Sequence, residues 1–127
     1  MYHYVVTSEK SAAELKDALY EVVPTIQFGI LGELDLTAIM QKKGVDHHTQ
    51  SYEFEVCNPK HAKKLIDQNP LAHMFLPCKV TIFEADGKTH IGMPRPSTQA
   101  SMLEDTKLEE LAKEVEDILI GAIDQIK

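Results

Sequence analysis

Short stretches of alternating apolar and polar residues run along this chain, and their period predicts five strands. The clearest stretch is Ser51–Cys57, where apolar residues alternate with Glu53 and Glu55. Such alternation is typical of a strand with one buried and one exposed face. Four further strands are predicted over residues 2–7, 28–34, 78–84 and 88–93, and an Asp86-Gly87 turn joins the last two as a hairpin.

Helices are predicted between these strands, and each has a sequence signal for its start. Ser11 and Glu14 form a capping box ahead of an apolar stripe at helical spacing. Asp35 can cap a short second helix, and Asn58 can cap a third helix with Pro59 in its first turn.

The C-terminal part of the chain predicts the longest helix. Ser101 and Glu104 form a second capping box. The stripe that follows repeats at helical spacing and consists of Leu108, Leu111, Val115, Ile118 and Ala122, widened by Leu119, Ile123 and Ile126. It is broader than a coiled-coil seam, so we expect the helix to cover the sheet and to leave part of its width for a second subunit.

The predicted elements follow in the order β-α-β-α-β-α-β-β-α, which is an α+β arrangement. A largely antiparallel five-stranded sheet with the long C-terminal helix packed on one face accounts for most of the apolar pattern. The chain has 127 residues, 43% hydrophobic and 26% charged, without an internal repeat or a linker. Residues 1–127 are therefore predicted to form a single domain, while the spacing leaves the strand order open.

Charge and hydropathy narrow the class of partner. The net charge is -7 and basic runs are short, so the chain lacks the clustered lysines and arginines that nucleic acids and anionic membranes require. No apolar run approaches the roughly 20 residues of a membrane span, and the N-terminus lacks the pattern of an export signal. We expect a cytoplasmic protein with two free thiols and with neither a nucleic-acid nor a membrane partner.

Cys57 is the first candidate for chemistry, because it directly precedes the helix that Asn58 and Pro59 begin. Free backbone N–H groups at a helix start favour anions and lower a thiol pKa, so this turn suits a thiolate or an anionic ligand. The alternative, which we favour, is a small residue that fills a tight turn.

Cys78 follows Pro77 and shares the parity of the apolar residues of its strand, so we expect a buried structural thiol.

Glu33 and Asp35 form the second candidate pair. They are two residues apart and share one strand face, where partial burial would raise the pKa of Glu33 and suit it to proton transfer. In the alternative, Glu33 pairs with a backbone group or a lysine, and Asp35 caps the next helix. The cap is the better interpretation for Asp35.

Asp46, His47 and His48 offer three potential metal ligands on one loop. Adjacent histidines rarely hold one ion without a further ligand from elsewhere, and the two cysteines form no Cys-x-x-Cys pair. We therefore predict a solvated loop without a metal. The sequence leaves any cofactor unknown, because it contains no phosphate-binding or dinucleotide-binding glycine pattern.

Several short motifs, in their order and spacing, resemble the domain-of-unknown-function 302 family. They are Phe28-Gly29-Ile30-Leu31-Gly32-Glu33-Leu34-Asp35, Lys43-Gly44-Val45-Asp46, Cys57-Asn58-Pro59-Lys60 and Leu76-Pro77-Cys78-Lys79-Val80. The resemblance implies a fold similar to the TATA-binding-protein class and a homodimer, but no settled activity. The positions shared with the family would be Glu33, Asp35, Cys57, Asn58, Pro59, Pro77 and Cys78.

Three functional hypotheses follow. The first is a small homodimer that binds a partner or a ligand, either a small molecule or an anion. Its pocket would be lined by Glu33, Cys57, Asn58 and Cys78, where three strand ends approach one another. The second is an enzyme, or a thiol-based redox or sulfur-handling protein, with Cys57 as thiolate and Glu33 as acid–base partner. The third is a structural interaction module that assembles through the long helix.

Overall fold

All 127 residues are described by the computed structural model of this protein, and its five strands form one sheet. They are β1 His3–Ser8, β2 Gly29–Asp35, β3 Ser51–Cys57, β4 Cys78–Ala85 and β5 Lys88–Pro94. The spatial order is β1-β5-β4-β3-β2, and every neighbouring pair is antiparallel. The predicted five-stranded antiparallel sheet is therefore confirmed, with β1 and β2 as its edges.

Five helices accompany the sheet. They are α1 Ala12–Val22, α2 Leu36–Lys42, α3 Pro59–Gln68, α4 Pro96–Ser101 and α5 Thr106–Ile126, and two short 3-10 turns cover Val23–Ile26 and Pro70–Met74. The predicted caps of the first three helices are confirmed, because the side chains of Ser11, Asp35 and Asn58 each accept a hydrogen bond from a first-turn amide. None of the helices combines the length and apolar composition needed to cross a bilayer.

The predicted start of the long helix is wrong. Its N-cap is Asp105, whose carboxylate accepts a hydrogen bond from the Leu108 amide at 3.0 Å. Ser101 instead ends α4, and its hydroxyl donates to the Thr98 carbonyl at 2.6 Å. Glu104 has a left-handed backbone with φ of 55°, so the chain turns there between two separate helices. No periodic signal marks α4 in the sequence, because its six residues carry no apolar stripe.

One cluster of 24 buried apolar residues packs the helices against one face of the sheet. Phe54, Ile82 and Ile91 supply its strand side and are fully buried. The stripe of α5 contributes Leu108, Ala112, Val115, Leu119, Ala122, Ile123 and Ile126. This confirms that the long helix packs on the sheet. Most of the apolar side chains of α5 are therefore buried in the core of its own chain.

The opposite face of the sheet, here named the open face, presents mainly polar side chains. On this face Glu53 lies opposite Thr81, and Glu55 lies opposite Lys79. All four alternate along their strands with core residues such as Phe54. The register of β2 against β3 shifts between Ile30 and Gly32, so β2 carries one extra residue there, as in a β-bulge.

Gly92 permits the close approach of β1 to β5 on the open face. It lies opposite Val5, and a Cβ atom at this position would be 2.5 Å from both the Tyr4 carbonyl oxygen and Val5 Cγ2. No side chain fits there without displacing backbone. The pairing of the first strand with the last hairpin therefore depends on this glycine.

Candidate functional site

A cavity of about 500 Å³ opens where the open face meets the segment before β4 and the start of α4. We name it the open-face cavity. Its apolar lining consists of Val5, Met74, Phe75, Leu76, Pro77, Met93, Pro94 and Pro96, and the remaining lining residues are Tyr2, His3, Glu53, Glu55, Cys78, Lys79, Thr81 and Gln99. Its volume falls within the range of roughly 300–1,000 Å³ that is typical of small-molecule sites.

The segment between α3 and β4 forms one wall of this cavity. Asn69 ends α3, and its side-chain oxygen accepts a hydrogen bond from the Leu71 amide at 2.9 Å, which begins the 3-10 turn. The chain then buries Phe75 and passes through a cis Leu76–Pro77 peptide bond into β4. This segment therefore places Phe75 and Pro77 in the wall of the cavity, beside the open face.

The open face forms the floor of the cavity. Glu53 and Glu55 project from β3 two residues apart, and both are half-buried. Beside them on β4, the Thr81 hydroxyl donates a hydrogen bond to the Tyr52 carbonyl at 2.9 Å. The alternation in β3 correctly predicted that both glutamates lie on the face away from the core. It did not predict the walls that surround them.

The second wall comes from α4 and from the N-terminal end of β1. The Arg95 amide donates to the Tyr2 carbonyl at 2.7 Å, and the Thr98 hydroxyl donates to the Met1 carbonyl at 3.0 Å. These bonds connect the beginning of the chain to α4, whose Gln99 faces the cavity. Neither connection has a local sequence signal, because the bonded residues lie more than 90 positions apart.

A buried carboxylate fixes this second wall to α5. Glu116 is fully buried, and it accepts hydrogen bonds from the Ser97 amide at 3.1 Å and the Ser97 hydroxyl at 2.6 Å. Arg95 Nη1 and Lys113 Nζ each lie 3.2 Å from its other oxygen. Burial by itself raises the pKa of Glu116, but the bonds from Ser97 and Lys113 outweigh it and hold the pKa below its ordinary value.

Neither Glu116 nor Arg95 is among the site residues predicted from the sequence. The signal that was available is the position of Glu116 inside the apolar stripe of α5, between Val115 and Leu119. An acidic residue on a core-facing stripe needs a partner elsewhere in the fold. Arg95, placed between two prolines where the sheet ends, is that partner.

Of the predicted site residues, Pro77 and Cys78 line the cavity, whereas Glu33 and Asp35 lie on the other face of the sheet. Glu33 lies 2.7 Å from Lys16 Nζ and accepts a hydrogen bond of 2.7 Å from the Tyr20 hydroxyl. These two partners on α1 hold the pKa of Glu33 below its ordinary value, which is the opposite of what proton transfer would require. Asp35 caps α2, as its preferred interpretation predicted.

Cys57, Asn58 and Pro59 also stand apart from the open-face cavity. Asn58 is buried and accepts hydrogen bonds from the first two free amides of α3. Cys57 is half-buried, and burial raises the pKa of its thiol. The thiolate hypothesis requires a lowered pKa for Cys57 and a Glu33 side chain close to it. Glu33 instead lies opposite Phe54 on β3, three positions away from Cys57. The structure therefore does not bring together the pocket expected from Glu33, Cys57, Asn58 and Cys78.

The expected burial of Cys78 is confirmed. The residue is 6% exposed, and burial of the thiol, followed by the neighbouring Cys57, raises its pKa to about 12. Both cysteines are free. On the loop before β3, His48 pairs with Asp46 at the surface. Nowhere does the fold gather three or more His, Cys, Asp or Glu side chains in an arrangement that could hold a metal ion.

Comparisons with known proteins agree on the kinship of this chain. A family model described as "Domain of unknown function DUF302" matches residues 4–126. Among solved structures, the chain is similar to an uncharacterized conserved DUF302 protein from Bacillus stearothermophilus, with a TM-score of 0.97 and 35% sequence identity. The alignment covers 100% of this chain and 99% of that one. No curated protein matches the chain.

Proposed function

Since this chain belongs to the DUF302 family, as its motifs predicted, we propose a function from its own geometry: it is a small cytoplasmic protein that binds a ligand in the open-face cavity. The observation that supports the proposal best is the meeting of four distant chain segments around one space. Residues of β1 and α4, the segment before β4, and the middle of β3 all contribute to its lining.

The chemistry of the lining is suited to a small organic molecule. Phe75, Leu76 and Met93 offer apolar contact area, while the glutamates, Lys79 and Gln99 offer a few polar groups that can orient a ligand. The walls are held before any ligand arrives, because α4 is fastened to α5 through Glu116. A preformed cavity loses less conformational entropy on binding than one that must be assembled.

The experiment that tests this function is a fragment screen followed by two-dimensional ¹H–¹⁵N NMR. We expect bound fragments to shift the amide signals of residues 53–55, 74–81 and 93–99. The variant Gln99→Trp fills the rim of the cavity and should abolish these shifts. Gln125→Trp, at an exposed position of α5, is the matched control and should leave them unchanged. Shifts that map elsewhere, or that survive in Gln99→Trp, would contradict the proposal.

A separate observation supports the expected homodimer. Five large apolar side chains of one short segment are exposed, namely Leu31, Leu34, Leu36, Ile39 and Val45, which we name the β2 patch. The patch lies on and beside β2, an edge strand with no strand paired along its outer side. Two copies of the same edge can pair antiparallel about a two-fold axis, so a second copy of this chain is the occupant that we propose.

Light scattering tests this assembly directly. We expect a dimer at micromolar concentration, and the double variant Leu31→Asp/Ile39→Asp should be monomeric because it places charge in the apolar interface. Met102→Asp is the control, since Met102 is 79% exposed outside the patch. A wild-type monomer at micromolar concentration would eliminate the dimer, and dissociation by the control variant alone would place the interface elsewhere.

A further inference from the structure

The carboxylates of this protein that are buried or half-buried fall into two groups. Five of the seven accept a hydrogen bond or an ion pair from the chain, namely Glu33, Asp35, Glu84, Asp105 and Glu116. The two that accept neither are Glu53 and Glu55. Both line the open-face cavity.

This contrast is informative because a carboxylate that loses part of its hydration normally gains a donor in exchange. Lys79 lies opposite Glu55 on β4, but it forms no ion pair with that side chain and is itself exposed. The two glutamates share one face of β3, and their Cα atoms are roughly 7 Å apart, as for any residues two apart on a strand. Several donors on one small group can reach both.

We propose that the ligand of the open-face cavity is a small organic cation, an ammonium or guanidinium compound with an apolar body; this rests on the binding function proposed above. Its N–H groups bond to Glu53 and Glu55, and its apolar body packs on Phe75 and Leu76. A carboxylate or phosphate ligand would meet like charge at the glutamates. A metal ion would find only these two carboxylates, because the structure holds no group of three such ligands.

Three probes of similar size and different charge test the proposal on the full-length protein. They are 2-phenylethylamine, which is a cation, 2-phenylethanol, which is neutral, and phenylacetate, which is an anion. We expect the amine to bind roughly tenfold more tightly than the alcohol, as a charge-assisted hydrogen bond allows, and the anion to bind most weakly. Raising the salt concentration should weaken the amine alone.

The double variant Glu53→Gln/Glu55→Gln removes the charge and keeps the shape of the side chains. It should lower the affinity for the amine to that for the alcohol, and should leave the alcohol unchanged. Glu114→Gln is the control with one charge removed from an exposed position of α5. Thermal unfolding checks that the variants fold, and the single variant Glu53→Gln serves if the double one does not.

The outcomes separate the two proposals. If the three probes bind equally, or if the double variant keeps its affinity for the amine, the ligand is not a cation. The ligand-binding function of the cavity would still stand. Tighter binding of Mn²⁺ than of the amine at the same glutamates also overturns the proposal of an organic cation. If neither the probes nor the fragments shift the amide signals of the cavity residues, the ligand-binding function is refuted, and the proposal of a cationic ligand is refuted with it.

Discussion

Glu116 of α5 takes the place of an N-cap for α4 by accepting hydrogen bonds from both the amide and the hydroxyl of Ser97, at 3.1 and 2.6 Å. The residue at the N-cap position itself, Arg95, provides no side-chain cap and instead donates to the same carboxylate. One buried carboxylate therefore joins α5, α4 and the end of β5. Because Gln99 of α4 lines the open-face cavity, the same carboxylate supports the proposed site.

Removing this carboxylate should weaken the fold. We expect Glu116→Ala to lower the free energy of unfolding by about 3 kcal/mol, since it leaves the partly buried donors on Ser97 and Arg95 without an acceptor. Glu116→Gln keeps one acceptor oxygen and should therefore lower the free energy of unfolding by less than Glu116→Ala does. Urea unfolding followed by circular dichroism measures both, and the exposed Glu114→Ala should change stability by less than about 0.5 kcal/mol. Equal stability of Glu116→Ala and Glu114→Ala would contradict this role.

Acid should destabilise the protein through two particular carboxylates. In the folded state the pKa values of Glu116 and Glu33 both lie below the ordinary 4.5. The bonds from Ser97 and Lys113 lower the first against the effect of burial, and those from Lys16 and Tyr20 lower the second. The unfolded chain then binds more protons, so this stabilisation is present above pH 4.5 and is lost as the pH falls through the lowered values.

Unfolding curves recorded across the acid range measure this effect. The double variant Glu33→Gln/Glu116→Gln should show a shallower loss of stability below pH 4.5 than the wild type, because neither glutamine can be protonated in this range. Glu114→Gln should follow the wild type. Identical acid slopes for all three proteins would show that the stability is set by other groups.

Two glycine substitutions should act in opposite directions. Gly92→Ala places a methyl group 2.5 Å from backbone and side-chain atoms of β1, so we expect a loss of about 1–3 kcal/mol as β1 is pushed off the sheet. Gly121→Ala adds a methyl group in open space on α5 and should stabilise the helix by about 0.5–1 kcal/mol. Thermal unfolding compares them, and a stabilising Gly92→Ala would refute the close approach.

The cysteines should react slowly with alkylating reagents at neutral pH. Burial raises the pKa of Cys57 above its ordinary 9.0 and that of Cys78 to about 12, and only the thiolate reacts. Iodoacetamide labelling followed by mass spectrometry should show Cys57 labelling with a midpoint above pH 9.0 and Cys78 labelling only in denaturant. The variant Cys57→Ser should remain unlabelled when folded. A midpoint well below that value would revive the thiol hypothesis.

The sequence by itself determined the elements whose signals are local. Alternation within Ser51–Cys57 established β3, the side chains of Ser11 and Asn58 established the starts of α1 and α3, and Asp86-Gly87 established the hairpin turn. Each of these depends on residues within a few positions of one another, so one stretch of chain contains the complete physical cause. The family motifs were equally readable, because they are contiguous.

Tertiary structure alone decided the strand order, the partner of Glu116 and the open-face cavity. The cavity requires β1 to pair with β5, which brings His3 opposite Pro94, and it requires the segment before β4 to fold onto the face that carries Glu53. Asp105, not Ser101, begins α5 for a similar reason, since Gln68 and Asn69 at the end of α3 also donate to its carboxylate. Contacts between residues so far apart in the chain leave no periodic trace in the sequence, because they depend on how whole elements pack.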